Sequence, residues 1–167
     1  MRSIATLFAA AAMAATTLAS AAAQEPQTPL TLRWTTEDGR VLKEMTMSVE
    51  ALEDLPQTTV RTTTPWTDGV SEFSGPAVSE LVGLASYPVA EATFVALNDF
   101  LGTLPPEDWT RRGAILAVRQ DGAYMEVRDK GPYWVLFPID SDPQLLTTRR
   151  YRGRMVWQVR EVEFRVD

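Results

Sequence analysis

Residues 114–137 read AILAVRQDGAYMEVRDKGPYWVLF. Residues 114–118 are an apolar run of strand length. Gln120-Asp121-Gly122 is turn chemistry, because Asp and Gly tolerate the positive φ that a tight hairpin needs. Residues 124–127 return as a second strand, and Asp129-Lys130-Gly131 turns again. Residues 133–137 form a third strand that is apolar throughout. Three short strands parted by turns predict a strand-rich chain.

The flanks extend that pattern. Towards the C-terminus, Met155, Trp157 and Val159 share one face of a strand, while Val162, Phe164 and Val166 take the opposite parity. A slip at Arg160-Glu161 predicts a bulge or a strand switch, since strand side chains alternate with period two. Towards the N-terminus, Leu30, Leu32 and Trp34 alternate, Asp38-Gly39 marks a hairpin, and residues 40–47 return. Ser48 caps a short helix to Leu55, ended by Pro56. Residues 58–64 are β-branched and strand-like, followed by a turn at Trp66-Thr67-Asp68-Gly69.

Ser74-Gly75-Pro76 reads as the opening of a helix whose Val78, Leu81, Val82 and Ala85 make an apolar stripe. Residues 93–97 form a short strand, and residues 105–109 a short helix with acidic residues in its first turn. The predicted fold is α+β: one domain over residues 30–167, of mixed, mostly antiparallel sheets with two or three short helices.

Residues 1–23 carry a different message. Arg2 is the only charge before Glu25, residues 4–15 are nearly all apolar, and Ala21-Ala22-Ala23 supplies a small-residue cleavage site. This is the pattern of a secretory signal peptide, and its apolar part is shorter than the ~20 residues of a membrane span. The expectation is an exported, periplasmic protein of bacterial character with a flexible lead-in at 24–29 and no integral membrane segment after cleavage. Cleavage leaves 144 of 167 residues and moves the net charge from −6 to −7 by removing Arg2.

Composition closes several classes. The chain has no Cys, so it has no disulfide, thiolate nucleophile, iron–sulfur cluster or Cys-type zinc site. It has no His, so it has no Ser-His-Asp triad and no imidazole ligand. With neither residue, no side chain is expected to titrate between pH 5 and 8. The negative charge argues against nucleic acid as a partner. Asp140 and Asp142 form an Asp-x-Asp pair without the rest of a calcium loop.

Several phrases occur in a telling order: Phe73-Ser74-Gly75-Pro76 before Leu81-Val82; Asn98-Asp99-Phe100 before Leu104-Pro105; Ile115-Leu116-Ala117 before Asp121-Gly122; Lys130-Gly131-Pro132 before Trp134-Val135-Leu136-Phe137-Pro138; and Met155-Val156-Trp157-Gln158-Val159. Over roughly residues 45–166, this layout resembles the molybdopterin-binding domain of sulfite-oxidase-type oxidoreductases. It looks more closely like the small exported proteins that carry a reduced version of that domain. The resemblance implies sulfite-oxidase-like topology and, as cofactor, molybdopterin. In the family a Cys thiolate binds molybdenum, and His and Arg side chains grip the pterin phosphate. The segment corresponding to that Cys is Thr58-Thr59-Val60-Arg61-Thr62-Thr63-Thr64 here, and Tyr133-Trp134 stands where an Arg of the clamp is usual.

The resemblance places a pocket between residues 58–68 and residues 121–134. Arg61 and Lys130 would supply positive charge, Thr62 and Thr64 hydroxyls, and Trp66 and Tyr124 apolar walls. Plainer readings stand beside these: solvated cations for Arg61 and Lys130, core packing for the aromatics, above all Trp134. The basic run Arg149-Arg150-Tyr151-Arg152-Gly153-Arg154 reads as a dock for an acidic partner or lipid headgroups, or as a solvated loop. Two functions follow. One is a non-catalytic binding or accessory module for a small ligand or a periplasmic redox or signalling protein. The other is a molybdopterin oxidoreductase with a Cys-free site.

Overall fold

The first and last strands lie side by side. Leu30–Thr36 (β1) and Val159–Val166 (β11) pair in parallel, with Trp34 opposite Phe164 and their rings stacked at 4.8 Å between centroids. The computed structural model describes residues 28–142, 145 and 149–167. The segment read as a signal peptide, and the lead-in up to residue 27, lie outside the described residues.

Val41–Met47 (β2) returns antiparallel on β1 through the Asp38-Gly39 turn, where Gly39 has φ +81°. Val89–Ala96 (β5) flanks β11 on its other side, and Leu101–Leu104 (β6) flanks β5. The sheet order is β2-β1-β11-β5-β6, and only the β1–β11 pairing is parallel. Leu30, Leu32, Trp34, Phe94, Val162 and Phe164 are fully buried on its inner face. The predicted slip is present: Val159 pairs with Ala96 but Glu161 with Val95, so Arg160 is the extra residue of a bulge.

A second sheet takes Gln57–Thr63 (β3), Val70–Pro76 (β4), Arg119–Gln120 (β8) and Ala123–Tyr124 (β9) in that order, all antiparallel. Ile115–Ala117 (β7) and Trp134–Leu136 (β10) make a two-stranded antiparallel ribbon, every residue of it buried. The three strands read in residues 114–137 are thus divided between two sheets. The returning strand is shorter than expected, because Val127–Asp129 is a turn of 3-10 helix.

Short helices close the layers. Val49–Glu53 (α1) starts at Ser48, whose Oγ accepts the Ala51 amide N–H. Val78–Gly83 (α2) buries Val78 and Leu81, as its stripe requires. Pro106–Thr110 (α3) has Glu107 and Asp108 in its first turn. Arg149–Arg154 (α4) is helical where the sequence suggested a loop. Ser74-Gly75-Pro76 is also corrected: it ends β4 rather than starting α2. A Cβ on Gly75 would stand 2.0 Å from the Leu116 carbonyl oxygen, so glycine here lets β4 pass against β7. The architecture is α+β, with mostly antiparallel sheets around one contiguous core.

Candidate functional site

Trp134 gathers some of the predicted site residues. It is fully buried at the start of β10, and its indole N–H donates to the Met155 carbonyl. Trp66 packs against it at 6.1 Å and meets the edge of Trp157 at 5.1 Å. Phe73 meets Trp134 edge-on at 5.5 Å. Lys130, in the left-handed conformation at φ 71°, sets its Nζ 5.6 Å from the Trp134 ring centre. Thr64 supports this cluster: its Oγ1 accepts the Trp66 amide N–H at 3.1 Å and shares a hydrogen bond with Thr67 Oγ1. Thr64, Trp66 and Lys130 therefore come together around one aromatic core.

Thr62 is fully buried. Its hydroxyl donates to the Thr63 carbonyl and accepts the Asp140 amide N–H. The Asp140 carboxylate takes the Thr63 N–H at 2.9 Å and its hydroxyl at 2.6 Å, which ties down the end of the edge strand β3. Asp142 pairs with Arg112. The Asp-x-Asp pair is thus engaged inside the protein.

Arg61 and Tyr124 stand apart from that cluster. Alternation along β3 buries Val60 and Thr62 and turns Arg61 to the other face, where it is 72% exposed and pairs with Glu72 at 3.4 Å. Tyr124 donates its hydroxyl to Glu53 Oε2 at 2.9 Å and lies under the Arg119 guanidinium at 3.8 Å. Arg119 also grips both Glu53 oxygens, at 2.6 and 3.3 Å. The Arg119 hydrogen bond, with Tyr124 adding to it, holds the Glu53 carboxyl below the usual carboxylate range, against its partial burial. This network fastens α1 to the β8–β9 hairpin.

A hollow opens on the other side of Trp157. It measures about 110 Å3 and is lined by Asn98, Phe100, Arg152, Met155, Val156 and Trp157, with Ala96 beneath. Phe100 is 49% exposed at the β5–β6 turn. Sequence reading placed none of these in a pocket. The available signals were a large apolar residue inside an Asn-Asp turn and the basic run that carries Arg152.

Behind the hollow, α4 is anchored by a buried acid. Arg154 Nη1 lies 3.0 Å from Asp108 Oδ2 and 3.2 Å from Oδ1. Burial pushes the Asp108 carboxyl up from 3.8 to about 6, and the Arg154 charge opposes the rise only in part. This corrects the expectation that nothing titrates between pH 5 and 8: a carboxyl group does so when burial penalises its charge.

No family model and no curated protein matches this chain.

The resemblance calls for a Cys thiolate on the metal, and this chain has no Cys. The chain offers Thr hydroxyls at the corresponding segment, and those of Thr62 and Thr64 are spent on internal hydrogen bonds. Trp66 lies over Trp134 and Trp157 beside them. These residues do not fit a molybdenum–pterin group. Among the described residues, no helix is long and apolar enough to cross a membrane.

Proposed function

We propose that this chain is an exported, periplasmic binding or accessory module that uses a sulfite-oxidase-type molybdopterin-domain scaffold without redox catalysis of its own. It holds a small ligand or docks a redox or signalling protein. The observation that carries the reading is the state of the Thr58–Thr64 segment. Where the resemblance calls for a metal-binding thiolate, Thr62 and Thr64 turn their hydroxyls to backbone and side-chain partners within the fold. A scaffold that has exchanged cofactor ligands for internal hydrogen bonds retains its shape and gives up the chemistry. The ordered phrases around Gly75, Asn98, Lys130 and Trp157 support the scaffold, and the α+β layers with mostly antiparallel sheets are compatible with it.

Reconstitution tests the reading. The purified chain is incubated with excess molybdopterin cofactor, desalted and assayed for retained metal. The expected result is a folded chain that retains only background molybdenum. Stoichiometric retention would overturn the proposal.

A further inference from the structure

We infer that the hollow beside Trp157 is a binding site for a small organic anion, a carboxylate carried on a short branched aliphatic body. The inference rests on the binding-module reading and names the ligand class of that module.

Size sets the body. A dry engineered cavity of roughly 150 Å3 holds benzene. The hollow offers about 110 Å3, enough for a branched chain of about four or five carbons. Its walls are Phe100, Met155, Val156 and the Trp157 ring, all apolar. Met155 and Val156 are buried, while Phe100 is half exposed.

Charge sets the head. The polar members of the lining are Arg152 and Asn98. Arg152 has no ion-pair partner among the described residues, unlike Arg154 two positions on. Its guanidinium offers a planar fork of donors suited to a carboxylate. Asn98 uses its Oδ1 to accept the Phe100 amide N–H, which leaves its NH2 to donate. The nearby carboxylates are engaged: Asp99 pairs with Arg160 at 2.8 Å, and Asp108 with Arg154. Arg149 and Arg150 are exposed on the same helix. In a chain of net charge −6, this is a locally positive face around an apolar hollow.

Isocaproate serves as the probe, with isocaproamide as its neutral isostere and acetate as the head without the body. Each is titrated into the 15N-labelled chain, and amide shifts are followed. Isocaproate is expected to give saturable shifts centred on Asn98, Phe100, Arg152 and Trp157, with isocaproamide and acetate each ~tenfold weaker or worse. Arg152→Ala should weaken isocaproate by ~tenfold or more and leave isocaproamide unchanged. Arg40→Ala, which removes a cation from the distant β1–β2 turn, should change neither. Equal binding of acid and amide, shifts centred elsewhere, the absence of saturable shifts or an indifferent Arg152→Ala would each overturn the site. That failure is separable from failure of the module reading, which only cofactor retention would bring down.

Discussion

Arg154 reaches across from α4 to a carboxylate sealed from solvent: Asp108 is 1% exposed in its side chain, and Arg154 Nη1 stands 3.0 Å from its Oδ2. The pair joins α3 to the helix whose Arg152 lines the hollow. Both charges are largely withdrawn from water, and their mutual attraction, helped by the charges of Arg112 and Arg150, offsets that cost only in part.

The pair gives stability a pH dependence of definite sign. Because Asp108 is raised from 3.8 to about 6, the unfolded chain releases this proton at lower pH than the folded one. Its contribution is therefore fully present below pH 4 and is lost as pH rises to about 6, by ~3 kcal/mol in total. Urea unfolding of the wild type and Asp108→Asn at pH 4 and pH 7 reads this directly. The wild type should lose ~2 kcal/mol relative to the variant between these two pH values, because unfolded Asp is already about half ionised at pH 4. Parallel pH profiles would refute the assignment. Arg154→Ala should cost more at pH 7 than at pH 4, by at most about 1.5 kcal/mol, because an unpaired Asp108 escapes by taking up a proton.

Glu53 behaves in the opposite sense. Arg119 and Tyr124 hold its carboxyl below the ordinary range, so its contribution is present above about pH 4.5 and is lost as pH falls through the lowered value. Tyr124→Phe removes one hydrogen bond to Glu53 and should cost about 0.5–1.5 kcal/mol in urea unfolding at pH 7. Isocaproate binding should be unaffected, because this network ties α1 to the β8–β9 hairpin and does not line the hollow.

Trp66→Ala should uncover Trp134, which is otherwise fully buried. Loss of two ring contacts and of a half-buried indole predicts a cost of roughly 2–3 kcal/mol. Tryptophan emission should shift to the red as the remaining rings meet water. An unchanged spectrum and unchanged stability would show that Trp66 does not pack there.

Two glycines give a paired test of packing. Gly75→Ala drives a methyl group into the Leu116 carbonyl and should cost ~1–3 kcal/mol or more. Gly83→Ala, at the end of α2, meets open space and should be neutral or stabilise by up to ~1 kcal/mol. Thermal unfolding separates the two.

The sequence made local alternation legible. Leu30, Leu32 and Trp34 alternate because one face of β1 is buried, and the parity slip at Arg160-Glu161 marks the bulge opposite Val95 and Ala96. Contacts between distant segments left weaker marks. Ser74-Gly75-Pro76 has the chemistry of a helix start, but Gly75 is needed for the approach of β7, some forty residues away in the chain. Asp108 looks like an ordinary first-turn acid, and only the fold reveals that Arg154 and burial surround it. For the site, Thr64, Trp66 and Lys130 do meet around Trp134. Arg61 lies on the opposite face of β3 because strand parity separates neighbours, and Tyr124 belongs to the Glu53 network. The hollow at Trp157 is assembled from the β5–β6 turn, α4 and the approach to β11, and no single stretch announces it.

The property proposed for this scaffold is binding without a molybdenum cofactor. Its most direct measurement is the metal and pterin content of the chain purified from a molybdenum-replete host, by elemental analysis and by pterin fluorescence after denaturation. The expected result is a folded chain with molybdenum and pterin both at background. Stoichiometric molybdenum accompanied by the pterin signal would contradict it.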